Sequence, residues 1–304
     1  MAETSISWTH THTPDGRPVP GYTFNPWIGC QKVSPACDGC YAENLMAIRY
    51  QRVEWGPHAE RKRTSAGYWT QPRRWNRIAD ADRTRPFVFC ASLADVFDNH
   101  VPTEWRRDLF ELIRSTPRLI YLLLSKRPQN MVDLAEAAGG LPRNVAIGAT
   151  CEDQKRWDLN VPTLVEAKME LQPLFAFVSA EPLLGPIRAR CAPITKALRP
   201  WFGPTVENFD PLHPHQPYWA RVDWIITGGE TDQGHHRARP ANPQWFRDLR
   251  DDCAETGTAY HHKQNGEWAS VSEVEGRGGE EHHSFRDGRT VRRVGKQRAG
   301  RRGD

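Results

Sequence analysis

The chain has 304 residues, 38% of them hydrophobic and 26% charged, with a formal net charge of +4. That length and balance suit one large barrel or two ordinary domains with a real core. No apolar run approaches the ~20 residues a membrane helix needs, and the opening MAETSISWTHTHTPDG lacks the basic start and apolar stretch of a secretion signal; the expected location is the cytoplasm.

Seven cysteines, an odd number with three inside eleven residues, do not make a disulfide framework. In a reducing compartment such a cluster reads as metal-binding or catalytic. The charge is unevenly spread: residues 286–304 hold eight Arg or Lys and two Asp, a local +6, which leaves −2 for the rest. The expectation is a single body over 1–285 and a basic, disordered tail over 286–304, with nucleic-acid contact as the tail's alternative role.

Taken in chain order, an opening strand before Cys30 leads into a loop over 25–44, and a helix starts at Tyr41. Residues 51–86, rich in Arg, Trp and Gly, read as a loop or insertion. Short apolar runs follow at Phe87–Ala91, Leu119–Leu124, Asn144–Ala149, Leu174–Ser179, Val222–Thr227 and, more weakly, Thr258–His262. Their near-continuous apolar character predicts strands covered on both faces, as in parallel sheets. Helices are predicted over 103–115, 128–138, 153–169, 191–199 and 242–256, the last with Trp245, Leu249 and Cys253 on one stripe. Residues 200–221 carry too much proline for a regular element. Alternation of strand and helix gives six or seven parallel βα units, a complete or partial βα barrel.

Working residues of such barrels sit where strands end. The ends here are polar: Ser92 and Asp95, Ser125 and Lys126, Cys151 and Glu152, Glu181, Glu230, and Lys263. Alternation along the last run sends only one of His261 and His262 inward. At the mouth of the first strand Cys30, Cys37 and Cys40 follow a C-x6-C-x2-C spacing. Three soft thiolates suit an iron–sulfur cluster or zinc. They are one too few for a closed site.

The run NPWIGC…CDGCYAEN resembles the cluster-binding start of radical S-adenosylmethionine enzymes. The wider chain is similar to a phage-associated three-cysteine family of that type over residues 7–268. The shared features are Trp8-Thr9, Val33-Ser34-Pro35, Ser-Leu-Ala-Asp-Val-Phe-Asp at 92–98, Ser-Lys-Arg-Pro at 125–128, Ser-Ala-Glu-Pro-Leu at 179–183 and Gly-Gly-Glu at 228–230. The resemblance implies a [4Fe-4S] cluster on Cys30, Cys37 and Cys40 whose open iron binds S-adenosylmethionine. An external electron donor then drives formation of a 5′-deoxyadenosyl radical that modifies a substrate. Ser92, Asp95, Ser125, Lys126, Glu152 and Glu230 are the expected cofactor contacts; Cys151, Glu181 and Lys263 are the expected catalytic groups.

Two features depart from the family pattern. Its commonest spacing is C-x3-C-x2-C, and the Gly-Gly-Glu that usually follows the second strand stands here after a late one. The substrate is open, with a nucleotide or nucleic-acid base favoured by the phage association and the basic tail. Two other readings stand beside this one. The first is a zinc-stabilised nucleic-acid-binding module with His10 or His12 as fourth ligand; the second is a cluster-binding barrel that has lost turnover.

Overall fold

Strands that are apolar on both faces must be covered on both, and the chain does this with one curled parallel sheet. The computed structural model describes residues 4–271 and 281–295. The sheet contains β1 (Tyr22–Thr23), β2 (Phe87–Phe89), β3 (Ile120–Ser125), β4 (Val145–Thr150), β5 (Ala176–Ala180), β6 (Trp224–Gly228) and β7 (Ala259–Gln264) in sequential order, every pair parallel. Its edges are β1 and β7, so the architecture is α/β with a partial barrel rather than a closed one.

The convex face is covered by α1 (Gln71–Ala81), α2 (Thr103–Arg114), α3 (Met131–Ala137), α4 (Gln154–Leu171) and α5 (Pro243–Thr256). Local chemistry sets their ends. Asp153 caps α4 by accepting from the Arg156 amide at 2.8 Å. Asn242 caps α5, Pro243 opens it, and Gly257 at φ +71° ends it. Alternation divides each strand between two cores. Tyr121, Leu123, Ile147 and Val178 face the helices, whereas Leu122, Ala146, Phe177 and Ile226 face the concave side. Each buried Leu, Ile, Val or Phe among them contributes about 1.5–3 kcal/mol. The concave floor is closed by Trp8, 4% exposed, whose ring meets Phe89 at 4.7 Å and Trp224 at 6.2 Å.

Four expectations need correction. Residues 51–86 are no mere loop. They include α1, whose Trp75 stacks on Tyr22 at 4.6 Å, so this stretch supplies the first crossover helix. The helix expected over 191–199 is replaced by two-residue strands, Ala192–Pro193 paired with Asn208–Phe209, and a single turn at Arg199–Phe202. Pro186, Pro193, Pro200 and Pro204 break any longer helix there. The helix expected from 128 begins as a 3-10 turn at Pro128–Asn130 before α3.

The tail expected to be disordered from 286 is ordered as far as Gly295. Trp268–Ser270 (β8), His282–Ser284 (β9) and Thr290–Arg293 (β10) form an antiparallel ribbon, anchored by ion pairs from Arg293 to Asp232. Buried Val291 and Trp268 supply the apolar contact that the local charge balance hides. The remaining part of that expectation, residues 296–304, lies outside the described residues. Among the described residues no helix is long and apolar enough to cross a membrane.

Candidate functional site

All three clustered cysteines stand on the loop that leaves β1 at the C-terminal end of the sheet. The chain is first stitched down by Asn25. Its Oδ1 accepts from the Leu93 amide at 2.8 Å, and its Nδ2 lies 3.2 Å from Ser92 Oγ. Gly29 donates to the Leu93 carbonyl at 3.1 Å in a backbone conformation (φ +114°) that favours glycine. Ser92 therefore holds the cysteine loop in register with β2. Cys40 stands at the N-terminal boundary of a short helical run, Tyr41–Glu43, that continues as a π-helical turn over Asn44–Arg49.

Two cations stand against the thiols. Arg127 Nη1 is 3.5 Å from Cys30 Sγ and 2.9 Å from Asp95 Oδ2. Burial pushes the Cys30 thiol up to about 11, and Asp95 adds to that against the opposing pull of Arg127. Burial likewise raises Cys40. Lys126 shows the reciprocal effect: burial alone would depress its ammonium, but Cys37, Cys40, Cys30 and Asp95 together raise it above its usual value. Cys40 and the ammonium thus stabilise each other's charged forms.

Behind this layer Asp95 is saturated. Oδ2 also accepts from Ser125 Oγ at 3.0 Å and the Lys126 amide at 3.2 Å, and Oδ1 accepts from the Phe97 amide at 2.9 Å. Asp95 and Ser125, expected as cofactor contacts, both hold Arg127. Their exposure of 5% and 1% leaves them facing protein.

The loop is clamped on its other side. Glu152, 0% exposed, accepts from the Ala36 amide at 3.4 Å, and Arg156 donates to the Val33 carbonyl at 2.7 Å. The second oxygen of Glu152 is buried without a described partner. Glu230 is held by Arg239 through hydrogen bonds of 2.9 and 2.6 Å, and Arg239 reaches on to the Pro35 carbonyl at 2.8 Å and Asp38 at 3.2 Å. Burial would raise the Glu230 carboxyl; the hydrogen bonds from Arg239 and His236 outweigh it and hold it below the usual range. Gly39, between two cysteines, sits against this clamp. A Cβ there would come within 2.6 Å of His236 Cδ2 and 3.1 Å of Glu230 Oε1.

Alternation places the other expected residues. Glu181 and Lys263 form an ion pair at the strand ends, and Gly228 makes room for it, since a Cβ there would meet Glu181 Cγ at 2.7 Å. His261 faces the concave side and bonds Ser7 Oγ at 2.9 Å, whereas His262 turns to Phe246 of α5. Cys151, expected as a catalytic group, has the parity of Ile147 and Ala149 and lies fully buried in the helix-facing core, with burial raising its thiol well above the ordinary value. His10 and His12 belong to the N-terminal hairpin. Thr13, next to His12, lines a cavity with Thr84 and Pro86 at the start of β2, opposite the cysteines.

Arg127, Arg156 and Arg239 are the neighbours of the cysteine loop that sequence reasoning missed. Arg127 was visible in Ser125-Lys126-Arg127 and Arg156 by its four-residue spacing from Glu152; Arg239 lies in a loop with no local signal.

As placed, no three His, Cys, Asp or Glu side chains among the described residues come together as a metal-holding group. The chemistry of the donor set nevertheless fits a soft-metal cluster: three thiols on one loop, two cations to offset thiolate charge, and a glycine where bulk would intrude. No curated protein and no solved structure matches the chain. One family model does, described as "Protein of unknown function (DUF5131)", and it matches residues 3–304. The chain belongs to the DUF5131 family.

Proposed function

We propose that the protein is a radical S-adenosylmethionine enzyme. The observation that carries this is the cysteine loop at the C-terminal mouth of a parallel half-barrel, with Lys126 and Arg127 set against its thiols. An iron–sulfur cluster held there would supply an electron to cleave S-adenosylmethionine reductively, the deoxyadenosyl group then taking a hydrogen atom from the substrate.

The chain's own residues bind, orient and shield. Cys30, Cys37 and Cys40 would hold the metal. Lys126 and Arg127 offset thiolate charge, Asp95 keeps Arg127 aimed, and the Glu230–Arg239 and Glu152–Arg156 clamps fix the loop. The free oxygen of Glu152 offers an acceptor for a hydroxyl or ammonium group of a ligand. Glu181 and Lys263 face the same mouth with opposite charges, one for each kind of polar group on a substrate. Trp8 closes the far end against water.

The test is anaerobic reconstitution followed by iron and sulfide analysis, visible absorption, and 5′-deoxyadenosine release with reductant and S-adenosylmethionine. About four irons per chain, broad absorption near ~400 nm, and loss of product in Cys37→Ala are expected. Stoichiometric zinc with no deoxyadenosine would overturn the reading, and a cluster without cleavage would reduce it to a barrel that only binds the cluster.

A further inference from the structure

We infer that the surface built by residues 49–85, beside the cysteine loop, binds single-stranded nucleic acid. The inference deepens the reading above by naming its substrate class. Charge is the first observation. The stretch holds ten Arg or Lys against four Asp or Glu, a net +6 in a chain whose total is +4. Much of that charge is uncommitted. Arg61 is buried on Asp98 and Arg63 pairs with Asp108. Arg49, Arg52, Lys62, Arg73, Arg74 and Arg77 are exposed and pair with no acidic side chain among the described residues.

Position is the second observation. The Gly56 amide donates to the Cys30 carbonyl at 3.0 Å, and Lys62 lies opposite Ile28, two residues before Cys30. The helical run that starts at Cys40 delivers Arg49 and Tyr50. Because α1 runs back towards the start of β2, its first turn, carrying Arg73 and Arg74, stands at the cysteine end of the sheet.

Aromatic surface is the third. Tyr50 is 48% exposed, with the Arg52 and Arg49 guanidiniums 5.3 and 5.6 Å from its ring centre. Beside it Gln51, Arg52, Trp55 and one acidic residue, Glu54, line an open groove of about 590 Å³. Cations spaced along an open face meet phosphates whatever the sequence. An accessible ring beside an open groove suits unstacked bases, which a duplex does not present. An acidic protein would answer the charge but not the groove.

The experiment measures anisotropy of a labelled oligonucleotide of ~20 residues with the full chain between about 50 and 200 mM salt. Affinity should fall steeply with salt. Arg49→Gln with Arg52→Gln should cut the log–log slope by about 1.4, near 0.7 for each phosphate no longer neutralised. Trp55→Ala should weaken binding roughly tenfold with the slope unchanged. A chain ending at Gly295 should bind like the full chain. The inference is overturned if wild type does not bind, if the arginine pair changes neither affinity nor slope, or if only removal of 296–304 abolishes binding. It is equally overturned if an acidic protein occupies the face in place of the oligonucleotide. Circular dichroism confirms folding of each variant, and the exposed arginine pair remains informative should Trp55→Ala fail to fold. No cluster is needed, so binding without deoxyadenosine formation leaves this inference standing and removes the radical reading.

Discussion

Replacing Asp95 by Asn tests whether the buried charge behind Cys30 is one coupled unit. The carboxylate receives Arg127 at 2.9 Å, Ser125 at 3.0 Å, the Lys126 amide at 3.2 Å and the Phe97 amide at 2.9 Å. An asparagine keeps the shape but turns one acceptor into a donor facing donors, and strips Arg127 of its countercharge. Breaking such a buried pair costs about 3–5 kcal/mol. At roughly 2.1 cal/mol/K per residue, unfolding this chain carries about 0.6 kcal/mol/K of entropy, so the melting temperature should drop by about 5–8 °C. The same change should lower the Cys30 thiol from about 11, because Asp95 raises it and Arg127, left unopposed, lowers it. Calorimetry reads the first effect. The second is the alkylation rate of Cys30 at about pH 9, followed by peptide mass spectrometry, which should rise since the thiolate is the reactive form. A melting temperature within about 1 °C of wild type, with unchanged Cys30 reactivity, would refute the coupling.

Gly39→Ala should cost about 1–3 kcal/mol through the clash with His236 and Glu230 and lower iron loading more than it lowers helix content; normal loading would show that the loop gives way freely. Glu230→Gln should flatten the acid limb of stability. A carboxyl held below its usual range contributes stability fully present above about pH 4–5, which is lost as pH falls through the folded value; melting curves from pH 7 to about 3 check this, and parallel curves for the two proteins would contradict it. Cys151→Ala should leave deoxyadenosine formation unchanged, since that thiol lies in the helix-facing core; abolished product formation in a folded variant would place Cys151 at the chemistry after all.

Much of this molecule was legible from local pattern. Apolar runs such as Leu119–Leu124 marked the strands because residues buried on both faces leave no polar alternation, and the six runs became β2 to β7. The grouping of Cys30, Cys37 and Cys40 with polar strand ends marked the working end of the sheet, because parallel βα topology delivers every strand's C-terminus to one side. Parity decided what each strand-end residue does, and parity needs the register. It sends Glu152, Glu181 and Lys263 to the mouth and Cys151 to the helices.

Charge balance could not separate an ordered basic ribbon from a disordered tail, since Val291 and Trp268 meet only when the strands pair. Nor could it show that Asp95 and Ser125 hold Arg127. The partners of Asp95 come from as far away as Arg127, 32 residues along the chain. Glu230 meets Pro35 and Asp38 only through Arg239, across about two hundred residues. Periodicity and composition are properties of neighbours in sequence and fixed the elements and the cysteine cluster. The clamp around that cluster arises from groups that only the folded chain brings together, and tertiary structure alone decided it.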